Sequence, residues 1–113
     1  MVNELELKAK ISNCPIEKTM TVIGGKWTFL IIRELFTGPK RFGKLQTSLF
    51  VSPRTLSTRL KELENEGVIK RKIYSEIPPH VEYSLTDKGK TLRPIFEAME
   101  DWGSNWDVLG IKS

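Results

Sequence analysis

A chain of 113 residues with 39% hydrophobic side chains is the size of one domain, residues 1–113. Such a chain buries roughly two-thirds of its unfolded surface. Eighteen basic residues against fourteen acidic give +4, and a single Cys excludes an internal disulfide framework and suits a reducing, cytoplasmic setting. The lone His excludes a multi-His metal site, the N-terminus has no signal-like apolar run, and no stretch is long and apolar enough to span a membrane.

Residues 1–12 are charged, with Leu5, Leu7 and Ile11 scattered among them. They read as an N-terminal arm, either docked on a partner or frayed. Asn13-Cys14-Pro15 begins a helix, since Pro is favoured in the first turn. That helix runs to about Ile23, with Ile16, Met20 and Ile23 expected inward. Gly24-Gly25 breaks it. These glycines do not form a phosphate loop, because Trp27 stands where Ser or Thr is needed. The helix Lys26 to Phe36 carries Trp27, Leu30, Ile31, Leu35 and Phe36 over more than one face and is expected to be central. Thr37-Gly38-Pro39 stops it. Arg41 to Leu49 reads as a short helix with Phe42, Leu45 and Leu49 inward, and Phe50-Val51 as a turn.

The next segment is the most sharply marked. Ser52 is an N-cap, Pro53 suits the first helical position, and Gly67 suits the left-handed C′ position. Leu56, Leu60 and Leu63 form one apolar stripe between them. Arg54, Thr55, Thr58 and Lys61 project away from it. Two short helices joined by a tight turn, the second with a polar N-terminal face, form a helix-turn-helix pattern. An ordinary amphipathic surface helix would share the stripe but not these flanks.

After Gly67 the period changes. Val68 to Tyr74 is β-branched and basic, and Val81 to Leu85 alternates apolar and polar. Pro78-Pro79 stiffens the connection, so the pair is expected to form a two-stranded wing. His80 is a wing contact or simply exposed. Thr86 caps a last helix, 86–109, which Pro94 should kink or divide. Leu92, Ile95, Met99, Trp102, Trp106 and Leu109 follow a coiled-coil spacing. This stripe covers either the domain's own core or, as favoured here, a second copy in a homodimer.

Charge is unevenly placed. Residues 40–72 hold nine basic and three acidic side chains, a local +6, which leaves −2 for the rest of the chain. A basic block in a folded domain points to nucleic acid. Ser52, Arg54, Thr55 and Thr58 are candidates to read base edges. Lys40, Arg41, Lys44, Arg59, Lys61, Arg71 and Lys72, with His80, are candidates to hold phosphates. The expected partner is double-stranded DNA with a palindromic operator. A winged helix used to bind protein is the alternative. A cysteine enzyme is not expected, because one Cys and one His lie far apart in the sequence with no orienting motif.

The order of these segments resembles the HxlR-type winged helix-turn-helix regulators, relatives of the MarR repressors. The resemblance rests on Cys14-Pro15, Ile23-Gly24-Gly25-Lys26-Trp27, Leu56 to Glu64 with Gly67-Val68-Ile69, Pro78 to Thr86, and Trp102-Gly103. It spans about residues 14–106. Phe50-Val51 stands where the family pattern has Gly-Ile. The resemblance implies an α+β, mostly α fold: a winged helix-turn-helix with a long C-terminal dimerisation helix. It also implies a homodimeric transcriptional regulator with no catalytic activity and no cofactor. It further implies that Cys14 senses oxidants or electrophiles. A thiol at a helix N-terminus near Lys10 and Lys18 suits that role. Cys14 as a small packed residue, and control by a non-covalent ligand, remain the alternatives.

Overall fold

The computed structural model describes residues 14–106, so the arm, Lys10 and Leu109 lie outside the described residues. Helix α1 spans Pro15–Ile23, with Cys14 at the N-cap. Only Ile23 of its predicted inner face is buried; Ile16 is 75% and Met20 54% exposed. Among the described residues, helix α1 packs on the core through its C-terminal end, by Ile23 and part of Val22, and none of them covers its first turns. Helix α2, Lys26–Leu35, is central as expected. Ile31 and Ile32 are fully buried, with Thr28 and Leu35 beside them.

Strand β1, Lys40–Arg41, precedes helix α3, Phe42–Leu49. Arg41 is still extended, so α3 starts one residue later than the sequence suggests. Leu45 and Leu49 are buried and Phe42 packs at the core's edge. Helix α4, Pro53–Asn65, buries Leu56, Leu60 and Leu63, as its stripe requires. It ends in a Schellman arrangement. Gly67 takes φ +75°, its N–H donates to Glu64 O, and the Val68 N–H donates to Leu63 O, both at 3.0 Å.

Strands β2, Ile69–Tyr74, and β3, His80–Leu85, form the antiparallel wing, from Ile69↔Leu85 to Tyr74↔His80. The two-stranded wing gains a third strand: β1 pairs with the free edge of β3, with Lys40 opposite Tyr83. The order is β1-β3-β2. The Ile77–Pro78 peptide in the connecting loop is cis.

Pro94 divides the last helix rather than kinking it. Helix α5 is Asp87–Lys90 and helix α6 is Arg93–Ser104, with Pro94 in the first turn of the second, where its missing N–H costs nothing. Helix α6 ends at Ser104, short of the expected 109, so Trp106 lies beyond it. Phe96 ties α6 to the core. Its ring stacks on Phe29 at 4.4 Å and meets Phe36 edge-on at 5.2 Å. Helix α5 is clamped to the foot of the wing. Thr86 Oγ1 accepts from the Gly89 N–H at 3.0 Å and donates to Gly67 O at 2.6 Å. Gly89 permits this approach, since a Cβ there would lie 2.2 Å from Val68 O.

Candidate nucleic-acid interface

Helix α4 builds the site. Ser52 Oγ accepts from the Thr55 N–H at 3.2 Å and donates to Thr55 Oγ1 at 3.0 Å. The predicted cap is thus formed, and the same hydroxyl is committed to it rather than left for a base. Thr58 Oγ1 donates to Arg54 O at 2.9 Å, which leaves its methyl group and an acceptor lone pair outward. Arg54, Thr58 and Lys61 fall on one exposed face, opposite the leucine stripe. Arg54 and Lys61 have no ion pair among the described residues. The first turn of α4 holds no acidic residue, so the helix presents its positive end to solvent without a screening carboxylate.

The predicted phosphate contacts divide. Arg41 and Lys44, at the start of α3, are exposed without an ion pair among the described residues. Lys40 folds back: its Nζ donates to Thr37 Oγ1 at 2.8 Å and to Gly38 O at 3.3 Å. Arg59 turns nearly half a turn away from Arg54, toward the α1–α2 corner, and donates to Glu62 at 2.9 Å.

On the wing, Arg71 and Lys72 leave opposite faces of β2. Arg71 Nε lies 3.9 Å from Glu64 on α4, above Tyr83. Burial pushes the Tyr83 phenol above its ordinary value, against the opposing pull of the Arg71 cation. Lys72 Nζ sits 4.9 Å from the Tyr74 ring centre. His80 is neither at the tip nor fully exposed. It stacks on Tyr74 at 4.7 Å, and its Nδ1 is 3.9 Å from Glu76.

Two apolar side chains near this surface escaped the sequence reading. Phe50 is 92% exposed at φ +52°, directly before α4, and Ile77 is 100% exposed at the wing tip. For Phe50 the signal was its place where the family pattern has Gly, the residue that best takes a left-handed turn. Cys14 is half-buried and its thiol makes no capping hydrogen bond. Ile95, Met99, Trp102 and Trp106 of the predicted seam are exposed, while Leu92 packs against the core.

The fold and this surface have close relatives. An HTH-type transcriptional regulator of Bacillus subtilis, YdeP, is 44% identical over 95 residues, covering 82% of this chain and 73% of that protein. A Synechocystis regulator, sll1512, is 46% identical over 94 residues, covering 82% and 70%. Among solved structures, the redox regulator HypR in its reduced form matches with a TM-score of 0.80 and 43% identity, over 86% of this chain and 98% of that one. The reduced form of YodB from B. subtilis matches at 0.75 and 34%, over 88% and 98%. The family model for HxlR-like helix-turn-helix proteins matches residues 22–109, which hold α2 to α6 with the wing and the outer face of α4. The chain is a transcriptional regulator of this type and belongs to the HxlR-like helix-turn-helix family.

Proposed function

We propose that the protein is a homodimer that reads a palindromic DNA operator and does no catalysis. The observation that carries this reading is the outer face of α4, where Arg54, Thr58 and Lys61 stand exposed beside an unscreened helix N-terminus. Arg54 and Thr58, with Thr55, read base edges in the major groove. Arg41, Lys44, Lys61 and Lys72 hold phosphates, and Arg71 stays close to Glu64. The exposed stripe Ile95, Met99 and Trp102 on α6, with Trp106, meets its copy across a two-fold axis. The two α4 helices then address half-sites about 34 Å apart. A protein that acts on the genome in this way works in the cytoplasm.

Selection from random duplexes, followed by anisotropy titrations at several salt concentrations, tests the reading. A palindromic consensus and an affinity that falls steeply with salt are expected. Weak binding without sequence preference would assign the fold to protein recognition instead.

Cys14 is the proposed switch. HypR is a redox regulator solved in an oxidised form and YodB has been solved after diamide treatment, which supports a redox reading for this chain. With one Cys per chain, diamide would take two electrons and two protons either from the two Cys14 thiols of the dimer, leaving an intersubunit disulfide, or from Cys14 and a small thiol, leaving a mixed disulfide. Operator affinity is expected to change with that modification and to return with reductant. Cys14→Ser should bind DNA and ignore diamide; a variant that still responds would move the signal elsewhere.

A further inference from the structure

One large apolar side chain points outward from the connection between α3 and α4. Leu49 and Val51 are 9% and 6% exposed, while Phe50 between them is 92% exposed. The two buried neighbours pin the backbone on either side, so the ring stands on a fixed pivot. Phe50 sits at φ +52°, ψ +45°, in the left-handed region, which costs a residue with a Cβ stability that glycine would not lose. No packing of the ring among the described residues offsets that cost. Backbone strain of this kind collects where a protein makes its functional contacts.

The surroundings select the contact. Residues 35–61 hold six basic side chains and no acidic one, so the ring stands in a field that draws a polyanion. Phe50 lies two residues before the Ser52 cap, and its Cα is therefore within about 7 Å of the start of α4. That end of α4 enters the major groove in the DNA-binding reading, on which the role of Phe50 rests. A base step is about 3.4 Å, so the ring reaches a base pair one or two steps from those under the first turn of α4. A phenyl ring has no conventional hydrogen bond to offer. The apolar group that a base edge shows in the major groove is the C5-methyl of thymine. We infer that Phe50 is a specificity-determining residue that packs on a thymine methyl group at the edge of each operator half-site. Arg54 reads hydrogen-bonding groups, and Phe50 adds an apolar reading beside it.

The test uses the operator duplex recovered by selection with the wild-type protein. Each thymine is replaced in turn by deoxyuridine in both half-sites, which removes the methyl group and keeps every hydrogen-bonding atom, and binding is read by anisotropy. At one position the change should weaken wild-type binding by about fourfold per half-site, about fifteenfold for the pair. Phe50→Gly and Phe50→Asn both suit a left-handed turn, so the fold should hold. Both variants should bind the thymine and deoxyuridine operators equally at that position. Arg54→Ala should bind more weakly and keep the thymine effect. A consensus in which no thymine shows a Phe50-dependent effect overturns the inference and leaves the DNA-binding reading standing; the absence of any consensus overturns both. A Phe50→Gly variant that keeps the wild-type thymine effect while its dimer Kd rises assigns the ring to the partner protomer, and overturns the inference too.

Discussion

Trp102→Ala should break the proposed dimer while sparing the protomer. Helix α6 turns Phe96 into the core and leaves Ile95, Met99 and Trp102 exposed at 36%, 43% and 62%. A Trp buries roughly 150–250 Å², so the uncovered part of Trp102 is on the order of 100–150 Å². At about 25 cal/mol per Å², covering it contributes about 3 kcal/mol. A two-fold axis repeats the contact, so the variant loses at most about 6 kcal/mol of dimer stability. Resettling of the seam and the area of the new Ala return part of that. A net loss of about 3 kcal/mol or more raises the dimer Kd at least a hundredfold. Sedimentation velocity over a concentration series reads this directly. Thermal melting should show an intact protomer, because Trp102 is not among the residues packed on the core. Wild-type protein that is monomeric at micromolar concentration, or a variant with unchanged Kd, would refute the seam.

Three further outcomes are expected. Arg54→Ala should cost about 1–3 kcal/mol of operator affinity and relax preference at one base pair; equal weakening on all sequences in a binding-site selection would make Arg54 a phosphate contact. Phe50→Gly should stabilise the fold by about 0.5–1 kcal/mol in urea titrations, since relief of the left-handed strain exceeds the added freedom of the unfolded chain. A loss of stability there would mean that the exposed ring makes a contact in the dimer. Thr86→Ala should cost about 2 kcal/mol by the same titration, one part from the lost cap and one from the lost bond to Gly67 O, while Thr86→Ser keeps most of it.

What was legible in the sequence was local. Helix α4 announces itself because Ser52, Pro53, the leucine stripe and Gly67 all act within a few residues of the bonds they make. A break at Pro94 is legible for the same reason, since the ring alone forbids a continuous hydrogen-bond ladder, but the choice between a kink and two helices is not. Burial of α1 was not legible. Ile16 and Met20 carry a helical apolar pattern, but a pattern shows only that a face is apolar, not what covers it. Strand β1 is two residues long and has no period to read; it exists because the free edge of β3 offers it a partner. The outer face of α4 followed from helical geometry; the same geometry turns Arg59 away from it, which its charge alone, counted as a phosphate contact, did not show. The fold-back of Lys40 and the His80–Tyr74 stack needed the loop and the strand register, which composition does not carry.

The bonds around α5 also decide where a regulatory signal can act. Lys88 Nζ donates to Glu66 O at 2.7 Å and Thr86 Oγ1 to Gly67 O at 2.6 Å, so α5 grips the end of α4. Arg93 and Phe96 then fix the start of α6 to α2. Within one protomer, α4 and the first turn of α6 are thus joined by short contacts with little room to slide. In the proposed dimer, the distance between the two α4 helices is then set mainly at the α6 seam. A two-fold operator tolerates little error in that distance. A modification that shifts the seam by a small angle therefore changes DNA affinity more than an equal shift inside the protomer's core, which the packing resists.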